Sequence, residues 1–211
     1  MDDDLIEAIP NAKAAIENIE NGKKNKMELF DWLQCIVFAV IIVIFIFIFI
    51  GRTIGVDGES MYGTLHNRDR VVASNLFYTP RNNDIIIFHS PSDRFNGTPL
   101  VKRVIATAGQ TVDIDFVEGR IILDGVVLYE PHIDSPTYKR EQFIGPVTVP
   151  EGYLFVLGDN RNNSIDSRNA DVGLVDTRYV LGRVLFLLLP GDNTSGMRDW
   201  SRFGPIRSQT G

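Results

Sequence analysis

The stretch "LQCIVFAVIIVIFIFIFI" (Leu33–Ile50) constrains this chain more than any other: about 18 consecutive residues carry no charge. A run of that length lies near the lower end of what crosses a bilayer core. A helix inside a globular domain keeps one apolar stripe, whereas this run is apolar on every face. Trp32 stands at its entry, where an amphipathic ring suits the headgroup level. A cleaved signal peptide fits poorly, because about 32 residues precede the run and no small-x-small site follows it. The expectation is a single N-terminal transmembrane helix at 33–50, a cytoplasmic tail at 1–32 and one extracytoplasmic domain at 51–211. Lys23, Lys24 and Lys26 precede the run and only Arg52 follows it closely, which predicts a cytoplasmic N-terminus and an outer domain on the far side of the cell membrane. The tail is polar, with at most an amphipathic turn or two around Ala8–Ile19, and no role is assigned to it.

Charge narrows the partners. The chain holds 21 Lys+Arg against 27 Asp+Glu, a net charge of −6, which argues against nucleic acid as a partner. Residues 1–50 carry 4 basic and 8 acidic side chains, leaving 17 and 19 for residues 51–211. The outer part is therefore nearly neutral and suits a position beside a membrane. The single cysteine, Cys35, falls within the apolar run. That excludes a disulfide framework, a cysteine-rich metal site and a thiol nucleophile in the outer domain.

Beyond Gly51 the pattern changes to short runs rich in Val, Ile and Phe, bounded by Gly, Pro, Asn or Asp. Arg70–Asn75, Asp84–Ser90, Leu100–Ala108, Thr111–Val117, Tyr153–Gly158 and Gly182–Pro190 read as strands. "RIILDGVVLYE" places Asp124-Gly125 between two such runs, a hairpin signal because both turn positions need positive φ. No long helical periodicity follows the apolar run. The fold expected of 51–211 is mainly β, as coiled sheets or a partly closed β-barrel. Ser90–Pro99 and Asn160–Gly173 are loops by composition. Loops held by a rigid sheet are where function concentrates.

Ser60, in "VDGESMYGTLHNRDRV", sits at a turn-like position just beyond the apolar run. A serine hydroxyl is a weak nucleophile unless a base takes its proton. His66, His89 and His132 lie among solvated or connecting residues and read as incidental. Lys102, in "LVKRVIA", is a better base. Strand alternation puts it on one face with Leu100 and Val104, and Arg103 on the other with Val101. A lysine so placed is either an edge-strand guard or a buried amine. From a reference pKa of ~10.4, neutralising it at pH ~7 costs roughly 4.6 kcal/mol. Burial lowers a lysine pKa by up to ~3–5 units, enough to remove most of that cost. A third stretch, "GDNRNNSIDSR" (Gly158–Arg168), closes a strand with a dense polar loop. There Ser164 can hold an amine, and Asp159, Asp166, Arg161 and Arg168 can pair. A solvated Asn/Asp turn accounts for the same composition.

Together these stretches resemble the bacterial type I signal peptidases, or leader peptidases, membrane-anchored serine proteases with a Ser-Lys dyad. "GESMYGTL" is similar to the family's Ser-Met-x-Pro-Thr-Leu box, with Ser60 at the nucleophile position. "NNDIIIFHSP" resembles its Gly-Asp-Ile-Val strand, and "VKRVIATAGQTV" its lysine box, with Lys102 at the general base. "GDNRNNSIDSR" matches the Gly-Asp-Asn-Arg…Ser-x-Asp-Ser-Arg box. The short spacings are most similar to enzymes of Gram-positive bacteria. Departures are Gly63 for the family's proline, Gly58 where some relatives place a serine that helps hold the oxyanion, Ala106 for glycine and Gln110 for aspartate. The loop "SRNADVGLV" is slightly longer than the common form.

The resemblance implies a mainly β, two-part domain that removes signal peptides from secretory precursor proteins, cleaving after Ala-x-Ala. It implies Ser60 as nucleophile and backbone oxyanion donor, Lys102 as base, and Ser164 as support for the amine. Asp166, Arg168, Asp159 and Arg103 would brace the loop. Val56, Met61, Leu65, Leu100 and Val101 would line shallow substrate pockets, or simply pack the core. No metal or organic cofactor is implied. The lipid bilayer and secretory precursors are the implied partners, with the substrate adding a strand beside 84–88 or 100–104. "MRDWSRFGPIR" (Met197–Arg207) reads equally as a headgroup contact or a plain C-terminal strand. Intact Ser60 and Lys102 count against a silent binding domain. The apolar run and the absence of a DNA-binding segment count against self-cleaving repressors, and the lack of an outer cysteine against a sortase-like transpeptidase.

Overall fold

A computed structural model describes residues 30–45, 52–191 and 197–206. The chain divides into two compact units, Met1–Phe49 and Ile50–Gly211. In the first, residues 30–45 are helical with their side chains exposed. The rest of the apolar run, 46–50, and the tail with its expected turns at Ala8–Ile19 lie outside the described residues. No helix among the described residues is long and apolar enough to cross a membrane.

The second unit is mainly β. Its strands are β1 (Arg52–Gly55), β2 (Arg70–Ser74), β3 (Ile85–His89), β4 (Pro99–Ala106), β5 (Thr111–Asp115), β6 (Arg120–Leu123), β7 (Val126–Val127), β8 (Val147–Thr148), β9 (Tyr153–Leu157), β10 (Val175–Asp176), β11 (Val180–Leu189) and β12 (Gly204–Pro205). One sheet runs β1-β2-β11-β3-β4-β9-β10, with β12 added on β11, and the other runs β7-β6-β5-β8. Among the described residues neither sheet closes on itself, so the domain is mainly β, as expected, without a closed barrel. Closure would need β1 to meet β10, and the chain instead leaves the first sheet after β4 to build the second before returning in β9. The second sheet has a core of its own around Val112, Ile121, Phe143 and Phe155.

The hairpin expected at Asp124-Gly125 joins β6 to β7, with φ of 52° and 82° at its two central residues. Of the expected loops, 90–99 carries a short 3₁₀ turn, Asp93–Phe95, and ends where Pro99 opens β4, while 160–173 carries no strand. β3 and β4 form the middle of the larger sheet, paired Ile86 to Lys102 and Ile85 to Arg103. From Val101 to Ala106 every residue of β4 is buried, so both of its faces are covered. Leu100 and Val104 pack with Ile86, Phe88 and Val156, while Val101 packs with Val56, Met61 and Leu65. The strand thus alternates as its sequence predicts, but over an interior that leaves no solvent face for a guard lysine.

Candidate active site

Ser60 rides on the loop between β1 and β2. The neck of that loop is tied by the Val56 N–H donating to the Asp69 carbonyl and the Arg68 N–H to that of Val56, both at 2.8 Å. Beyond Ser60 the chain makes a single helical turn, the Leu65 N–H donating to the Met61 carbonyl at 2.8 Å. Met61 and Leu65, one turn apart, are both sunk in the core, which pins the turn and leaves Ser60 half-buried at its start. The N–H groups of Ser60 and Met61 make no hydrogen bond to the described protein. Gly63, at the family's proline position, has φ of +98°, which a proline ring fixed near −65° cannot adopt. A Cβ at Gly63 would come within 3.3 Å of Asp134 and 3.4 Å of the His132 carbonyl, so the glycine lets the β7–β8 connection lie against this turn.

Lys102 reaches the same point from β4. Its Nζ lies 2.7 Å from Ser60 Oγ and donates to the Val101 carbonyl at 3.0 Å. The side chain is almost wholly buried, and burial lowers its pKa from 10.5 to about 8, against a partial pull upward from Asp166 and Asp159. Those carboxylates are occupied elsewhere. Arg103 binds Asp159 through two bonds of 2.8 and 2.6 Å, and Arg168 binds Asp166 through two of 2.9 and 2.8 Å. Each pair is nearly sealed from solvent. Thr64 donates to Asp159 at 2.6 Å, so this pair also grips the turn that carries Ser60.

The loop after β9 completes the site. The Asn160 N–H donates to the Ser60 carbonyl at 3.0 Å, and the Asn160 side chain to the Glu59 carbonyl at 3.1 Å. Gly158 has to be glycine here, since a Cβ would sit 2.5 Å from the Ser60 carbonyl oxygen and 2.2 Å from Ser164 Oγ. Its N–H donates to Asp166 at 3.0 Å. Arg161 donates to the Gly158 carbonyl at 3.0 Å and pairs with Glu130. Ser164 Oγ is buried with no partner, so the hydrogen bond expected between it and Lys102 is not formed in this conformation.

Ser60, Lys102 and Ser164 line one open cleft of ≈ 610 Å³. Of the five expected pocket residues only Leu100 lines it; Val56, Met61, Leu65 and Val101 are buried together in the core beneath. Sequence reasoning missed Glu130, Thr64 and His132. His132 looks incidental in sequence, yet its side chain is 7% exposed and its Nε2 lies 3.8 Å from Asp159. Burial and the Arg103 charge lower its pKa, so it stands as a neutral ring against the Arg103–Asp159 pair. Nothing local to "PHID" signals this, because the contact spans the whole β7–β9 connection. Thr64 was legible in "SMYGTL", four residues beyond Ser60.

A hydroxyl against a buried amine, in an open cleft beside free backbone N–H groups, is the equipment of a serine hydrolase that works on acyl groups. The chain matches the signal peptidase, peptidase S26 family over residues 29–189, and it belongs to that family. It is 35% identical to Signal peptidase I S of Bacillus subtilis over 182 residues, 81% of this chain and 94% of the relative. It is 33% identical to Probable signal peptidase I-1 of Synechocystis sp. over 181 residues, 82% of this chain and 84% of the relative. A crystal structure of a signal peptidase I from Enterococcus faecalis shares 35% identity with a TM-score of 0.41, covering 50% of this chain and 97% of that one. As a member of this family the chain is a serine endopeptidase, a hydrolase of peptide bonds.

Proposed function

We propose that this chain removes signal peptides from secretory precursors, with Ser60 as nucleophile and Lys102 as general base. The observation that carries this reading is the 2.7 Å contact between Ser60 Oγ and the buried Lys102 Nζ. With a pKa of about 8, roughly a tenth of the amine is neutral at pH ~7, a fraction an unburied lysine never approaches. Ser60 Oγ attacks the scissile carbonyl as its proton passes to Lys102 Nζ. The free N–H of Ser60 faces the developing oxyanion. Lys102 then returns the proton to the departing amine, which becomes the new N-terminus of the mature protein. An acyl-enzyme on Ser60 remains. Water, deprotonated by Lys102, attacks that ester and releases the signal peptide. Ser164, unpartnered in the same cleft, is free to hold the amine as Ser60 is acylated, while Arg103–Asp159 and Arg168–Asp166 keep the surrounding loop in place.

The substrate adds to the site as an extended strand. β3 is paired on both sides, to β4 and β11, whereas β4 pairs with β9 only from Arg103 onward. The β9-side edge of Pro99–Lys102 is therefore the one available, next to Leu100. The residues before the scissile bond are small, as in Ala-x-Ala. Leu33–Ile50 anchors the enzyme in the cell membrane, with the tail in the cytoplasm and 51–211 as the extracytoplasmic catalytic domain. The test is cleavage of a precursor whose signal ends in Ala-x-Ala by wild type and Ser60→Ala. Wild type cuts at that site and the variant does not; cleavage by the variant would end the assignment.

A further inference from the structure

Residues 197–206 lie beyond the stretch matched to the family, which ends at residue 189, and the mechanism above makes no use of them. They are nevertheless built into the larger sheet. Gly204 and Pro205 pair with Leu187 and Phe186 of β11, and the Ile206 N–H donates to the Leu185 carbonyl at 3.0 Å. Phe203 meets Phe186 edge-on with ring centroids 4.9 Å apart, and Ile206 packs on the cluster that holds Met61 and Leu65. This is the C-terminal strand alternative of the sequence reading, shortened to two residues.

Its 3₁₀ turn, Trp200–Arg202, aims Arg202 at the base of the nucleophile loop. Arg202 Nη2 donates to Asp69 Oδ2 at 2.6 Å and Nη1 to Oδ1 at 3.1 Å, while Nη2 also reaches the Thr64 carbonyl at 3.4 Å. The Asp69 side chain is fully buried, and its carboxylate also accepts from the His66 N–H at 2.8 Å and the Gly191 N–H at 2.7 Å. Asp69 is the residue whose carbonyl closes the loop neck. One guanidinium thus holds the nucleophile loop at two points, the turn that begins at Ser60 and the neck.

We propose that Arg202 is a positioning residue for peptide-bond hydrolysis: it fixes Asp69 and the Thr64 carbonyl, and through them the placement of Ser60 Oγ against Lys102 Nζ. The inference rests on Ser60 being the nucleophile. Arg202 touches no reacting atom, and its contribution is geometric. A lysine at 202 brings a point charge and cannot span both carboxylate oxygens and the carbonyl together. The test uses the full chain in detergent, comparing wild type, Arg202→Ala, Arg202→Lys and Ser60→Ala on one precursor, below unfolding midpoints measured on the same samples. Displacement of a catalytic group by about 1 Å can cost ~100-fold, so Arg202→Ala should lower kcat by on the order of 10- to 100-fold with KM unchanged. Arg202→Lys should give an intermediate kcat, and free guanidinium should restore part of the Arg202→Ala loss. Wild-type kcat per folded molecule in either variant would overturn the proposal, and Arg202→Lys decides alone if Arg202→Ala does not fold. Cleavage by Ser60→Ala would instead remove the nucleophile assignment, and this inference with it.

Discussion

Lys102 is buried without a carboxylate of its own, since the two nearest are each held by an arginine. That arrangement has a cost in stability whose sign can be checked. The folded pKa, about 8, lies below the 10.5 of an exposed lysine, so between those values the unfolded chain binds more protons. Stability from this group therefore rises with pH across that window, by up to roughly 3 kcal/mol, and is lowest below pH ~8. Lys102→Met should be inactive yet more stable than wild type at pH ~7, and the gap should close towards pH ~10.5. Urea unfolding of both proteins at several pH values measures this; a gap that widens with pH would contradict it. Gly58 gives a second prediction at this scale. Its φ of +93° is unfavourable for serine, and its N–H is already donated to Asn67. Gly58→Ser should cost about 1–3 kcal/mol of stability and leave kcat no higher, despite relatives that carry serine there.

Among the elements, the loop after β9 does the most to shape the site. Its polar density reads in sequence as a solvated turn, but in the fold Asp159, Arg161, Asp166 and Arg168 are all buried. They tolerate burial because each charge is paired and its remaining groups reach backbone carbonyls or side-chain oxygens. Asp159→Asn leaves the Arg103 guanidinium buried without its counter-charge, which should cost ~3–5 kcal/mol. Chemical denaturation would read this, and a loss below about 1 kcal/mol would show the pair to be solvated. The longer strands were legible because β2, β3, β4, β9 and β11 carry Val, Ile and Phe in runs that turn residues cut cleanly. β8 and β10 were not, because two residues show no period. Ser60 and Lys102 were legible as types in a pattern, whereas the contacts of His132 and Glu130 depend on how a long connection folds back. The five pocket residues were legible as apolar, but sequence could not separate those that line the cleft from those that support it.

At the scale of the whole molecule, an apolar run precedes a mainly β domain with an open cleft. If Leu33–Ile50 anchors the enzyme, tethering it and its precursor to one bilayer raises their effective concentration without new contacts, an effect worth up to ~10²–10⁴ in avidity. Full-length protein in vesicles should therefore cut a membrane-inserted precursor far faster than in detergent, with little change for a short soluble peptide. Equal acceleration of both would point to the lipid acting on the catalytic domain and not to tethering. In the proposed mechanism a neutral Lys102 takes the proton of Ser60. That step is tested most directly by kcat/KM for precursor cleavage across pH ~6–11, for wild type beside Lys102→Ala. The wild-type rate should rise with pH through an inflection at about 8, and the variant should not cleave. A profile governed near pH ~6.5, the range of histidine, or a Lys102→Ala enzyme working at the wild-type rate, would contradict it.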